Sequence, residues 1–126
     1  MIDHVSIAVR DLTASGAFYD AVLETLGMRR LIERPTEIGY GKDYPEFWLN
    51  GRPGMAAVEA GSGAHVCLRA RSVEAVAAFH AAALTAGGVD DGAPGPRPEY
   101  HHRYHAAFAL DPDGNRIEAV TFVPEG

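Results

Sequence analysis

Apolar and polar positions along this chain fall into two stretches of the same grammar. Each has a short β-rich run, a helical stripe, then brief runs separated by turn residues. Ile2 to Val9 alternates weakly and is rich in β-branched residues, which predicts a strand. Asp11 is a good N-cap for the helix that follows. Phe18, Val22 and Leu26 give that helix one apolar stripe, and Gly27 supplies its stop. Met28 to Glu33 reads as a strand, with a second short one near Thr36 to Gly41. The Gly41-Lys42-Asp43-Tyr44-Pro45 segment turns the chain into a short strand at Phe47-Trp48-Leu49. Asn50 to Gly63 carries five glycines or prolines and reads as a connection, with a brief strand at Met55 to Val58.

The second stretch repeats the order. Ala64 to Ala70 predicts a strand, Ser72 caps a helix running to about Ala86, and Gly87-Gly88 ends it. Gly92 to Pro98 is a glycine- and proline-rich loop. Tyr104 to Leu110 and Arg116 to Val123 are strands joined by a tight turn, Asp111-Pro112-Asp113-Gly114-Asn115. Overlaying the chain on itself at 61 residues aligns His4–Met28 with His65–Val89 without a gap, nine of 25 pairs being identical. Chance would give about two or three, so the chain is a duplicated supersecondary unit. The expected fold is α+β: two βαβββ modules, residues 1–60 and 64–123, whose sheets lie edge to edge in a half-open cup within one domain, 1–126.

Composition narrows the setting. A chain of 126 residues builds one core, so the duplication divides a single domain. No apolar run approaches the roughly 20 residues of a membrane span, and the start shows no basic-then-apolar leader, so a cytoplasmic location is expected. Net charge is −6 with no cluster of lysine and arginine, which argues against nucleic acid as a partner. The single cysteine, Cys67, lies in an apolar run and reads as a buried, inert thiol.

Three chemistry-bearing residues stand on strands: His4, His65 and Glu118. A strand histidine taken alone is usually packed or solvent-facing. The repeat, however, places His4 and His65 at equivalent positions, and Glu118 stands four residues after the turn glycine, where module one has Trp48. Two imidazoles and a carboxylate on rigid strands form a facial ligand set with coordination positions left open. Strand alternation puts Phe108 opposite Glu118 and sets Tyr104 on the same face, with His105 turned away. Tyr100 and His102 are expected at the cavity rim, while consecutive loop histidines (His101, His102) fit no rigid ligand set. His80 reads as a helix-surface or interface residue.

With His4 and His65 opening the two repeats, and with DPDGN followed by Glu118, the chain resembles the vicinal oxygen chelate superfamily. That superfamily contains glyoxalase I, extradiol dioxygenases, bleomycin-binding proteins and fosfomycin-modifying glutathione transferases. The resemblance implies that His4, His65 and Glu118 hold a divalent ion. Zinc, nickel, manganese and iron(II) all accept such ligands. Glyoxalase I has a fourth ligand, a glutamate, where this chain has Phe47-Trp48-Leu49. Trp48, and Ser6 in place of a threonine, look more like the fosfomycin enzymes.

Two functions follow as expectations. One is a metal-dependent enzyme (lyase or isomerase, conjugating transferase, or dioxygenase) acting on a small oxygen-rich substrate. In it Glu118 and Tyr104 are catalytic, Tyr104 or a metal-bound water carries the proton, and Ser6, Trp48, Tyr100, His102 and Phe108 contact substrate. The other is a metal-free binding protein that sequesters an aromatic, cationic small molecule between subunits. In both the unit is a homodimer with each site at the subunit interface.

Overall fold

The computed structural model describes residues 1–125, the side chain of Ala60 excepted. Its elements are β1 (Val5–Val9), α1 (Leu12–Glu24), β2 (Arg29–Glu33), β3 (Glu37–Gly41) and β4 (Phe47–Gly51). After a 3-10 turn at Ala60–Ser62 come β5 (His65–Arg69), α2 (Val73–Thr85), β6 (Val89–Pro96), β7 (Tyr104–Leu110) and β8 (Arg116–Phe122). The duplication is explicit in the helices, each 13 residues long. Asp11 accepts from the Ala14 amide at 3.0 Å, and Ser72, its repeat mate, accepts from Ala75 at 3.1 Å.

The strands form two four-stranded mixed sheets, ordered β1-β4-β3-β2 and β5-β8-β7-β6, in which only the first pair of each list is parallel. The expected α+β class and the paired βαβββ modules are therefore present. Within one chain the two sheets stay separate: among the described residues no strand of one pairs with a strand of the other. One apolar core joins the modules instead. Val9, Phe18, Tyr19, Phe47 and Leu49 of module one share it with Phe79, Ala107, Ile117 and Ala119 of module two. Every second residue of β4 and β8 is spent on this core, so the intervening Trp48 and Glu118 face the opposite side of their sheets.

The DPDGN turn has a structural task, locking module two onto module one. Asp113, only 4 % exposed, accepts from the Arg10 amide at 3.0 Å, from Arg10 Nε at 2.8 Å and from the Ser15 hydroxyl at 3.2 Å. Asp111 accepts from the Tyr19 hydroxyl at 2.7 Å and from the Asn115 side chain at 3.0 Å, while Asn115 also donates to the Ala8 carbonyl at 2.9 Å. Gly114 has φ +95°, and a Cβ there would stand 2.7 Å from the Val58 carbonyl oxygen, so glycine is required twice over. Asp113→Ala strips three module-one donors of their acceptor in a buried place. Thermal melting should register a loss of about 2–4 kcal/mol. A melting temperature unchanged from wild type would show that the lock contributes nothing.

Three expectations from the sequence are corrected. The Gly92–Pro98 stretch is largely strand, because β6 is an edge strand pairing only with β7. Missing proline N–H groups are tolerated there, and the register slips at Asp90/Gly92 and Gly92/Gly95. Met55–Val58 is irregular rather than a strand. His80 is buried between α2 and β6, where its Nε2 lies 2.8 Å from Asp90 Oδ1. That contact and the Gly92 amide lower the Asp90 carboxyl below the ordinary carboxylate range.

Candidate functional site

The outward face of module two carries the chemistry. On β5, Val66 and Leu68 turn to the core, so His65, Cys67 and Arg69 turn outward. Register sets Cys67 beside Glu118 and Phe108 opposite Glu118 on the far side of β8. Glu118 is 2 % exposed, yet both its oxygens are engaged. His65 Nε2 lies 3.1 Å from Oε1, and the Tyr104 hydroxyl donates to Oε2 at 2.5 Å. These residues open onto a cleft of about 640 Å³, whose walls include Tyr100, Tyr104, Phe108, Arg97 and Arg116.

Burial first, and then the Glu118 carboxylate, raise the Tyr104 phenol far above its ordinary value. Tyr104 is therefore a protonated donor that fixes Glu118, rather than a base. Cys67 corrects another expectation. It is exposed, with its sulphur 3.9 Å from the Tyr104 hydroxyl. Desolvation on the sheet surface and the neighbouring Glu118 charge push its thiol up to about 12. At pH 8 its thiolate fraction should then be about 1000-fold below that of a thiol at 9. The greater nucleophilicity of a more basic sulphur recovers about 20-fold of this. Alkylation of the metal-free protein by iodoacetamide should accordingly run tens of times slower than for glutathione, gaining tenfold per pH unit until about 12. Glu118→Gln should speed it by lowering the thiol pKa. Labelling as fast as glutathione would refute this reading of the site.

His4 lies elsewhere in the chain, in a second hollow of about 270 Å³ on module one's outward face, with Ser6, Arg34, Tyr44 and Trp48 among its walls. The repeat equivalence is visible in the registers, Ser6 beside Trp48 in one sheet and Cys67 beside Glu118 in the other. Trp48 lies against Gly39, where a Cβ would meet the indole at 3.0 Å, and takes Arg34 over its ring at 5.4 Å. Asp3 Oδ1 is 2.7 Å from His4 Nδ1, and Tyr44 donates to the same carboxylate at 3.0 Å. Since a carboxylate only accepts, Nδ1 carries the proton and the Nε2 lone pair is left available. That is how outer partners prepare a metal-ligating imidazole. His102 lies off both hollows, at 2.8 Å from Glu125 on the surface and stacked on His101.

The structure thus brings Tyr100, Tyr104, Phe108, His65 and Glu118 together and sets His4 and Trp48 apart from them, while Ser6 lines the His4 hollow and also a smaller one of about 140 Å³ shared with His65. Among the described residues of one chain, no three His, Cys, Asp or Glu side chains are placed to hold a metal ion. The His65–Glu118 pair suits one as two ligands of a larger set. Donor atoms each about 2.0–2.2 Å from a common ion stand about 3.0–3.4 Å apart, and these are 3.1 Å apart. Cys67, Arg116 and Arg97 were not expected at this site. The alternation of His65, Cys67 and Arg69, and the two-residue spacing of Arg116 and Glu118, carry the signal for the first two. Nothing in the sequence points to Arg97.

The chain belongs to the Glyoxalase/Bleomycin resistance protein/Dioxygenase superfamily, whose family model matches residues 1–119. It is similar to a glyoxalase/bleomycin resistance protein from Albidiferax ferrireducens, at 34 % identity and TM-score 0.85 over 95 % of this chain and 98 % of that one. A glyoxalase/bleomycin resistance protein/dioxygenase family enzyme from Burkholderia phytofirmans shares the fold, with 23 % identity and TM-score 0.73 over 96 % and 98 %. A glyoxalase I mutant from Zea mays gives 25 % identity and TM-score 0.71, over 93 % of this chain but 44 % of its own. No curated protein matches the chain.

Proposed function

We propose that this chain is a divalent-metal-dependent enzyme acting on a small oxygen-rich molecule, by isomerisation, addition–elimination or group transfer. The observation that carries the reading is the His65–Glu118 pair, at ligand-like spacing on the wall of a cleft. His65 and Glu118 would hold the ion, and His4 of a second copy would complete the set, already oriented by Asp3. Bound there, a divalent cation supplies Lewis acidity to substrate oxygens. The chain's own residues do the rest. Tyr104 holds Glu118 in one rotamer, and Tyr100 and Phe108 wall the cleft with apolar surface that strengthens local electrostatics.

Elemental analysis of protein purified without chelator tests the reading, which requires about one ion per chain. Asp3→Ala provides a finer test, because loss of an outer-shell partner typically weakens metal binding about 10- to 100-fold. Unchanged affinity in that variant would remove His4 from the ligand set.

One observation favours a second reading, a metal-free binding protein. Glu118 already has a partner on each oxygen, so the site is satisfied without an ion. Protein that stays free of metal after dialysis against zinc, nickel, manganese and iron(II) would decide for the binder.

A further inference from the structure

The charge on the cleft wall identifies what the cleft receives. Arg116 is met by Asp91, with Nε 2.9 Å from Oδ2. Arg97 differs. Its guanidinium donates only to carbonyls of its own β6 segment: Ala93 at 2.7 Å, Gly95 at 3.0 Å and Pro96 at 3.3 Å. Among the described residues no carboxylate pairs with it and its Nε–H makes no hydrogen bond. It lies over the Phe108 ring, 5.5 Å from the centroid. Gly92 leaves room for it: a Cβ there would stand 3.2 Å from Nη2.

The result is a guanidinium clamped in one place on a cleft wall with its charge uncompensated. Holding an arginine this way reduces the entropy lost when it meets a ligand, and the planar fork suits a carboxylate. We infer that the cleft takes an organic anion, its carboxylate on Arg97 and its reacting oxygen at His65 and Glu118. The inference rests on the reading of that cleft as the active site and adds the substrate's charge and shape.

Sheet order supplies the size. Glu118 is on β8 and Arg97 follows β6, with β7 between them. Two strand spacings amount to about 10 Å, and side chains reaching inward shorten the gap. Phe108 and Tyr104 project from β7 between the two poles, so the middle of the molecule should be flat and apolar. A carboxylate and an oxygen function at opposite ends of an aromatic ring or short chain fit this span. An acidic net charge had favoured a cationic ligand, but Arg97, a cleft cation with no carboxylate partner among the described residues, favours an anionic group at its end of the cleft.

The test uses 4-hydroxyphenylacetate and its neutral isostere 4-hydroxyphenylacetamide, titrated calorimetrically into the full chain at one pH and salt concentration. The acid should bind wild type at least about tenfold more tightly than the amide. Arg97→Gln should lower acid affinity far more than amide affinity and so bring the two close together. Arg97→Lys, which keeps the charge but not the fork, should keep part of the difference. His65→Ala should retain the acid-to-amide ratio even where metal is lost, which separates failure of the metal reading from failure of this one. Equal affinity of wild type for acid and amide, no binding of the acid, or an undiminished ratio in Arg97→Gln would each overturn the inference. The wild-type comparison needs no variant to fold.

Discussion

Glu118→Gln should abolish metal retention while leaving the fold in place. The glutamine keeps the volume of a side chain that is 2 % exposed. Its carbonyl oxygen can still accept from Tyr104, and its amide can donate to a His65 tautomer protonated at Nδ1. Exchanging a buried, hydrogen-bonded carboxylate for a neutral isostere that keeps those bonds should change stability by about 1 kcal/mol or less. Affinity should respond very differently. The carboxylate of the His65–Glu118 pair is gone, and a hard or borderline divalent cation loses both its ligand and most of its charge compensation. The expected loss exceeds the roughly 100-fold upper range for outer-shell changes. Metal content after gel filtration and a thermal melt, taken on the same sample, check both halves. His65→Ala should match it in metal content. Wild-type metal occupancy in Glu118→Gln would end the proposal, whatever the melt showed.

Those residues were legible in the sequence for a mechanical reason. A five-residue turn between two strands fixes which residues face each other, and strand alternation then assigns faces. Glu118, Phe108 and Tyr104 could be placed on one surface from Asp111 to Asn115 alone, and the registers agree. The repeat did the same for Trp48, which occupies in β4 the place Glu118 has in β8.

Legibility failed where local signals and tertiary context disagree. Proline and glycine in β6 read as loop because their cost in a strand is usually prohibitive, whereas an edge strand with two register slips accommodates them. Arg97 belongs to that misread segment, and its importance lies in what it lacks, a carboxylate partner, which no pattern of residues reports. Cys67 was misjudged because an apolar run was taken as evenly buried, although β5 alternates along its whole length. The two aspartates of the turn are a different case. They sit in the most recognisable motif of the chain, and they hold modules together rather than contact the cleft.

Mixing His4→Ala with His65→Ala subunits should restore metal binding that neither variant shows alone. In one chain His4 and the His65–Glu118 pair line separate hollows on the outward faces of two sheets. Those sheets share a core but, among the described residues, no strand pairing. The outward face of module two exposes Tyr100 and Phe122 beside the cleft, apolar surface that a second copy would cover. A twofold arrangement of two chains can set module one of each against module two of the other, an exchange the 61-residue repeat makes geometrically natural. In such a dimer a mixed pair has one site lacking both histidines and one site with both. Free exchange at equal amounts makes half the dimers mixed, so about a quarter of all sites should bind metal. If His4 instead met His65 of its own chain, every site in the mixture would lack one histidine and none would recover. The measurement is bound metal per chain after subunit exchange, verified by mass spectrometry of the mixed dimer. Recovery near a quarter supports the shared site. No recovery with exchange confirmed, or a protein that stays monomeric at the concentration where wild type binds metal, would refute it.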